Sequence, residues 1–151
     1  MRTLLAPLAL PVLVIAFAWP AWVAAQAAEP LIATAHKDPA KKPQLAKALM
    51  SGHVMIIATT KGPNDKSITI QDFSRKGQSF IPFFSNEKHF KDETRGSGFE
   101  SKGLLIDANM FASMLKGTET LILNPGSKTL VEFQAAQLKT HIDPSRLPKR
   151  K

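Results

Sequence analysis

Cysteine and tyrosine are absent from the 151 residues, and both tryptophans, Trp19 and Trp22, fall among the first 27. Without cysteine there is no disulfide, no thiolate zinc site, no thiol nucleophile and no lipid-modified cysteine at a cleavage site. Without tyrosine, and with tryptophan confined to the start, any aromatic platform for sugars or bases must be built from phenylalanine alone, which argues against carbohydrate and single-strand ligands. Acidic residues are scarce too, 12 against 20 basic, for a net charge of +8. No H-E-x-x-H spacing links the four histidines His36, His53, His89 and His141, and no G-x-S-x-G element marks a serine nucleophile. After Val23 no apolar run is long enough to cross a bilayer.

What is present at the start is an export signal. Arg2 supplies the positive end, Leu4–Val23 is almost wholly apolar, and Ala25-Gln26-Ala27 has the small-x-small form that signal peptidase reads. The alternative is a retained membrane anchor, which Pro7, Pro11 and Pro20 oppose because each removes a helical hydrogen bond. Cleavage before Ala28 leaves 124 residues, 19 of them basic and 12 acidic, for a net of +7. A chain of that length buries roughly two thirds of its unfolded surface, enough for one domain without covalent staples. The expected place of action is outside the cytosol, in the periplasm or beyond.

The remainder interleaves helix and strand signals. Residues 28–36 read as extended, a connector from the cleavage site. Asp38-Pro39 is an N-cap followed by proline, with Leu45, Ala46, Leu49 and Met50 as the apolar stripe of the helix and Gly52 its end. His53–Thr59 is rich in β-branched residues and precedes a turn at 61–65. Ser67–Phe73 and Gln78–Ser85 follow as strands joined by a turn at Arg75-Lys76-Gly77. In the second of these, Phe80, Ile81, Phe83 and Phe84 predict burial on both faces, which Pro82 contradicts because proline belongs at edges or bulges. Ser85 is the expected cap of a polar helix over Asn86–Glu93, which Arg95-Gly96-Ser97-Gly98 breaks. Leu104–Ile106 reads as a strand, Asp107 as the cap of a helix whose Met110, Phe111, Met114 and Leu115 share a face, and Thr120–Leu123 as a strand. Asn124-Pro125-Gly126-Ser127 has type II turn chemistry. A brief extension over Lys128–Glu132 leads to a last helix with Ala135, Leu138 and Ile142. The class is α/β or α+β: one small domain with a mixed sheet packed by about four helices.

Phe80-Ile81-Pro82-Phe83-Phe84-Ser85 and, some way on, Leu121-Ile122-Leu123-Asn124-Pro125-Gly126-Ser127 resemble the two strand motifs of the SseB protein N-terminal domain, the family named for enhanced serine sensitivity. The order and spacing of the intervening elements agree, and the resemblance covers about residues 43–142. It implies a fold and a binding or accessory role. It implies no catalytic residues, since the family has no agreed enzymatic mechanism.

The organisation expected is therefore a signal at 1–27, a connector at 28–42, an SseB-like domain at 43–143 and a basic tail at 144–151. Phe80, Pro82, Phe84, Asn124, Pro125, Gly126 and Ser127 are the motif residues. The Gly126 and Ser127 amides with Lys128 beside them could also receive an anion. Arg146, Lys149, Arg150 and Lys151 read as a mobile solvated tail that could touch anionic surfaces weakly. No cofactor, metal or nucleic-acid partner is called for. The functional expectation is an exported, non-catalytic accessory protein that binds a protein or anionic envelope component, with membrane contact only through the signal or weak electrostatics. A small cofactor-independent envelope hydrolase is the alternative; for it, Ser97 and Ser101 or the carboxylates Glu93, Glu100, Asp92 and Asp107 could be named, but no spacing selects among them.

Overall fold

Asp38 accepts a hydrogen bond from Ala40 N at 3.0 Å and so caps a 3-10 turn, Pro39–Lys41, that runs into a helix at Lys42–Met50. The computed structural model describes residues 22–60 and 67–149, and side chains from Ala28. The signal before residue 22, the turn at 61–65, Arg150 and Lys151 thus lie partly or wholly outside the described residues.

Residues 28–36 are not extended. They form the end of helix α1, Trp22–Lys37, and Ala28, Ile32 and Ala35 are buried in the main core. Spacings of four and three put these residues on one face, so their burial fixes the helix against the sheet. Helix α2 is Lys42–Met50, and its buried residues are Leu45, Ala46, Leu49 and Met50, as its stripe predicts.

The strands are β1 His53–Thr60, β2 Ile68–Ile70, β3 Phe73–Arg75, β4 Gln78–Phe84, β5 Gly103–Asp107, β6 Thr120–Leu123 and β7 Val131–Gln134. They form one mixed sheet: β4 and β6 run parallel, and the other pairs are antiparallel. Helices α3 Glu87–Thr94, α4 Ala108–Met114 and α5 Ala135–Lys139 complete an α+β domain with five α-helices among the described residues. Side chains from α1, α2, α4 and α5 share the main core with Val54, Ile56, Ile81, Phe83, Leu121, Leu123 and Phe133. On the other side, Ile57, Phe84 and Phe90 of α3 make a second, smaller core.

A fork between β1 and β4 explains Pro82. Their register covers only Met55 with Phe84 and Ile56 with Phe83; beyond it β1 pairs with β2 and β4 with β3. The strand expected over Ser67–Phe73 is accordingly two short strands, one on each branch. The Phe83 carbonyl accepts from Asn124 N at 2.9 Å, toward β6, so the adjacent Pro82 points its backbone to the opposite side, into the fork. The β3 register ends at Phe80 and the β1 register begins at Phe83, which leaves no ladder position there that needs an N–H. A buried central strand thereby tolerates proline. The β3–β4 turn at Lys76 and Gly77, both left-handed with φ of 51° and 77°, matches a two-residue hairpin.

Three further expectations shift. Asn86, rather than Ser85, caps α3, accepting from His89 N at 2.9 Å. In α4, Phe111 and Leu115 are buried, but Met110 and Met114 are exposed, because the buried face runs through Ala108, Asn109 and Ala112. The brief extension expected over Lys128–Glu132 instead occupies Val131–Gln134, where it pairs with β6.

The basic end is tied down at its first residue. Asp107 caps α4 through Asn109 N at 2.8 Å, and Arg146 Nη2 reaches the same carboxylate at 2.5 Å while its Nη1 donates to the Met50 carbonyl at 2.9 Å. Buried Asn109 completes the clamp, donating to the Met50 carbonyl at 2.7 Å and accepting from Asp143 N at 2.8 Å. Burial pushes the Asp107 carboxyl up, but the Asn109 donors and the Arg146 guanidinium outweigh it and hold the pKa below the ordinary aspartate value. Arg146 is thus a structural cation, and a wholly mobile tail from residue 146 is corrected; Lys149 is exposed. Truncation after Ser145 is expected to cost about 1–3 kcal/mol by removing these charged hydrogen bonds. Truncation after Arg146 should cost almost nothing, and thermal melts of the two would show the difference.

Candidate functional site

Alternation along β4 sorts its side chains into two sets. Ile81 and Phe83 enter the main core, whereas Phe80, Pro82 and Phe84 line a hollow of about 190 Å³ at the fork. Ile57 of β1, Phe73 of β3, Thr94 of α3, Phe99 and Pro125 complete most of its wall. Phe73 meets Phe99 edge-on, with centroids 5.2 Å apart, and Phe80 tilted at 6.3 Å; Phe84 meets Phe90 edge-on at 5.5 Å. The two sequence motifs, forty residues apart along the chain, therefore converge on one phenylalanine-lined pocket.

Asn124 builds the bridge between them. It is fully buried, with φ of 50°, and its Oδ1 accepts from Ser85 N at 2.9 Å while its Nδ2 donates to Ser85 Oγ at 2.9 Å. Ser127 N donates to the Asn124 carbonyl at 3.1 Å across Pro125 and Gly126, and Gly126 has φ of 78°. These are the features of the type II turn expected from sequence. Ser127 therefore spends its N–H inside the turn. A carboxylate, that of Glu93, rests over Gly126, where a Cβ would collide with it. The turn does not present an anion cradle, and Lys128 is exposed. Gly126→Ala is expected to destabilise by about 1–2 kcal/mol through its left-handed φ, while displacing the Glu93 side chain. Chemical denaturation measures the first effect; the Glu93 carboxyl shift by NMR measures the second.

Glu93 and Ser97 are the polar side chains of the pocket besides Thr94. The Ser97 hydroxyl donates to the Thr94 carbonyl at 2.6 Å, and the Thr94 hydroxyl to the Phe90 carbonyl at 2.9 Å. Neither hydroxyl faces a histidine. Glu93 is exposed at the rim of the pocket, and partial desolvation against the turn raises its pKa above the ordinary glutamate value. Glu93 had been one of several unselected carboxylates; its importance comes from the turn it touches, which sequence spacing does not encode.

A serine, a carboxylate and a histidine do meet elsewhere, beside α3. Ser85 Oγ donates to Glu29 Oε1 at 2.5 Å, Asn86 Nδ2 donates to the same oxygen at 2.7 Å, and His89 Nε2 lies 3.6 Å from Glu29 Oε2. The carboxylate stands between the serine and the histidine. In a nucleophilic triad the histidine must stand between the other two, and here Ser85 is only 1% exposed. The cluster holds α1 against the β4–α3 junction. A larger hollow of about 320 Å³ includes Asp72 and Glu119. Glu119 is committed to Lys116 N and Gly117 N at 2.7 and 2.8 Å, and Asp72 to Ser79 Oγ at 3.0 Å. Among the described residues, no three histidine, aspartate or glutamate side chains come together as a metal site.

Comparison with family models gives a match over residues 28–140 to the SseB protein N-terminal domain. Comparisons with curated proteins and with solved structures gave no match. The matched span begins at Ala28, so it includes the buried part of α1, and it contains both motifs that meet at the pocket. The chain belongs to the SseB N-terminal domain family.

Proposed function

We propose that this protein is an exported, non-catalytic binding domain of the cell envelope, and that the phenylalanine pocket receives an apolar group of its partner. The observation that carries the reading is the convergence of Phe80, Pro82 and Phe84 with Pro125 on one hollow, walled mainly by apolar side chains. Such a lining suits shape-selective binding through area removed from water, with a few polar groups for orientation. The hydroxyls in the pocket are engaged with backbone carbonyls, which supports binding over nucleophilic chemistry.

Export is supported by the signal-like first 27 residues. A helix that starts at Ala28 puts Pro30 in its first turn, where a missing N–H costs nothing. It also keeps Ala28, Ile32, Ala35 and the Glu29 clamp. Intact-mass measurement of the protein recovered from the soluble extracytoplasmic fraction should give a chain beginning at Ala28. Recovery of all 151 residues in membranes would contradict export with cleavage.

The binding role is tested by incubating envelope extract with the parent and with Ser97→Phe, which fills the pocket mouth. The parent should retain a component that Ser97→Phe loses. Equal retention, or ester or amide turnover by the parent that Ser97→Ala abolishes, would overturn the reading in favour of another face or of a hydrolase.

A further inference from the structure

Helix α3 carries alternating charges, and each of its basic groups has a carboxylate partner. Lys88 Nζ lies 2.6 Å from Asp92, Lys91 Nζ 2.7 Å from Glu87, and Arg95 Nη2, just beyond the helix, 3.2 Å from Asp92. Glu93 is the carboxylate left over: among the described residues it makes no ion pair and no hydrogen bond, and its end rests against the Gly126 turn at the pocket wall. The lining also includes the partly exposed rings of Phe73, Phe80 and Phe99. Aromatic faces bear partial negative charge, so the rings and the carboxylate both attract a cation. An anionic ligand would meet repulsion, and a neutral one would shelter Glu93 further from water without pairing it.

We propose that the pocket binds a small organic ammonium ion with an apolar body, on the scale of a phenyl ring with a short aminoalkyl chain. A dry apolar cavity of about 150 Å³ takes benzene; about 190 Å³ leaves room for the chain that brings the ammonium to Glu93. The apolar body occupies the space among Phe73, Phe80 and Phe99, over the buried Ile57 and Phe84. The ammonium lies toward Glu93 and Thr94, displacing water from the carboxyl. The overall charge of +8 opposes a cation, so the preference comes from Glu93 and the rings acting locally. The inference rests on the pocket being the binding site.

The test is a set of amide-shift titrations of the purified protein with phenethylammonium, 2-phenylethanol and 3-phenylpropionate, which share a body and differ in charge. Phenethylammonium should shift Ile57, Thr94, Ser97 and Phe99 and bind roughly threefold to tenfold more tightly than the alcohol, as expected for one partly exposed ion pair with ring contacts. Phenylpropionate should bind most weakly. Glu93→Gln should remove most of the ammonium's advantage over the alcohol, and added salt should shrink that advantage more in the parent than in the variant. Equal binding of the ammonium and the alcohol, or an unchanged preference in Glu93→Gln, overturns the cation while the apolar pocket stands. Failure of all three to shift the pocket residues overturns both.

Discussion

Phe83→Ala is expected to cost about 3–5 kcal/mol, the range for deleting a fully buried phenylalanine from a core that cannot collapse around the loss. Phe83 is fully buried and packs against Phe111 at 5.6 Å and Phe133 at 6.2 Å, so it joins α4 to β7 through the centre of the sheet. Its strand lies between β1 on one side and β6 on the other. Urea unfolding monitored by circular dichroism would measure the loss. Phe80→Ala is the control on the same strand: Phe80 is only partly buried, lines the pocket and should cost far less. If both variants unfold together, the separation of β4 into a core face and a pocket face is wrong.

Asn124→Ala is the second large effect, expected at about 2–4 kcal/mol from an unsatisfied buried donor plus a left-handed alanine. The Ser85 N–H would lose its acceptor, and Ser85 Oγ would lose the Asn124 donor. Asn124→Gly separates the causes, since glycine accepts the φ of 50° and still leaves Ser85 N–H unpaired. It should recover about 1 kcal/mol relative to alanine. Equal stability of parent and Asn124→Ala would mean that the asparagine does not bridge the two motifs.

Much of this architecture was readable locally. Asp38 and Asp107 cap where their side chains permit, and the Pro125-Gly126 pair sets its turn because each residue's φ preference suits one central position. The departures have non-local causes. Ser85 and Asn86 are both good caps; Ser85 is withdrawn from that role by Glu29, 56 residues away. Residues 28–36 read as extended because mixed polarity obscures a stripe of Ala28, Ile32 and Ala35 that only packing reveals. A Cβ at Gly103 would lie 2.7 Å from the Phe90 ring, so glycine there lets α3 approach β5, a packing need that no local pattern encodes. Pro82 could not be reconciled with a buried strand until the fork between β1 and β4 was visible. The motif residues at the site were legible; the pocket they form, and the Glu93 carboxyl that completes it, required the third dimension.

The central claim is that β4 and the Asn124 turn build an open apolar pocket, and transferred NOEs from benzene to the purified protein test it most directly. The account predicts cross-peaks from benzene to the Ile57 methyls and to the Phe73, Phe80 and Phe99 rings, with none to Phe83 in the sealed core. Cross-peaks spread over the exposed Met110 and Met114, or confined to the main core, would contradict it.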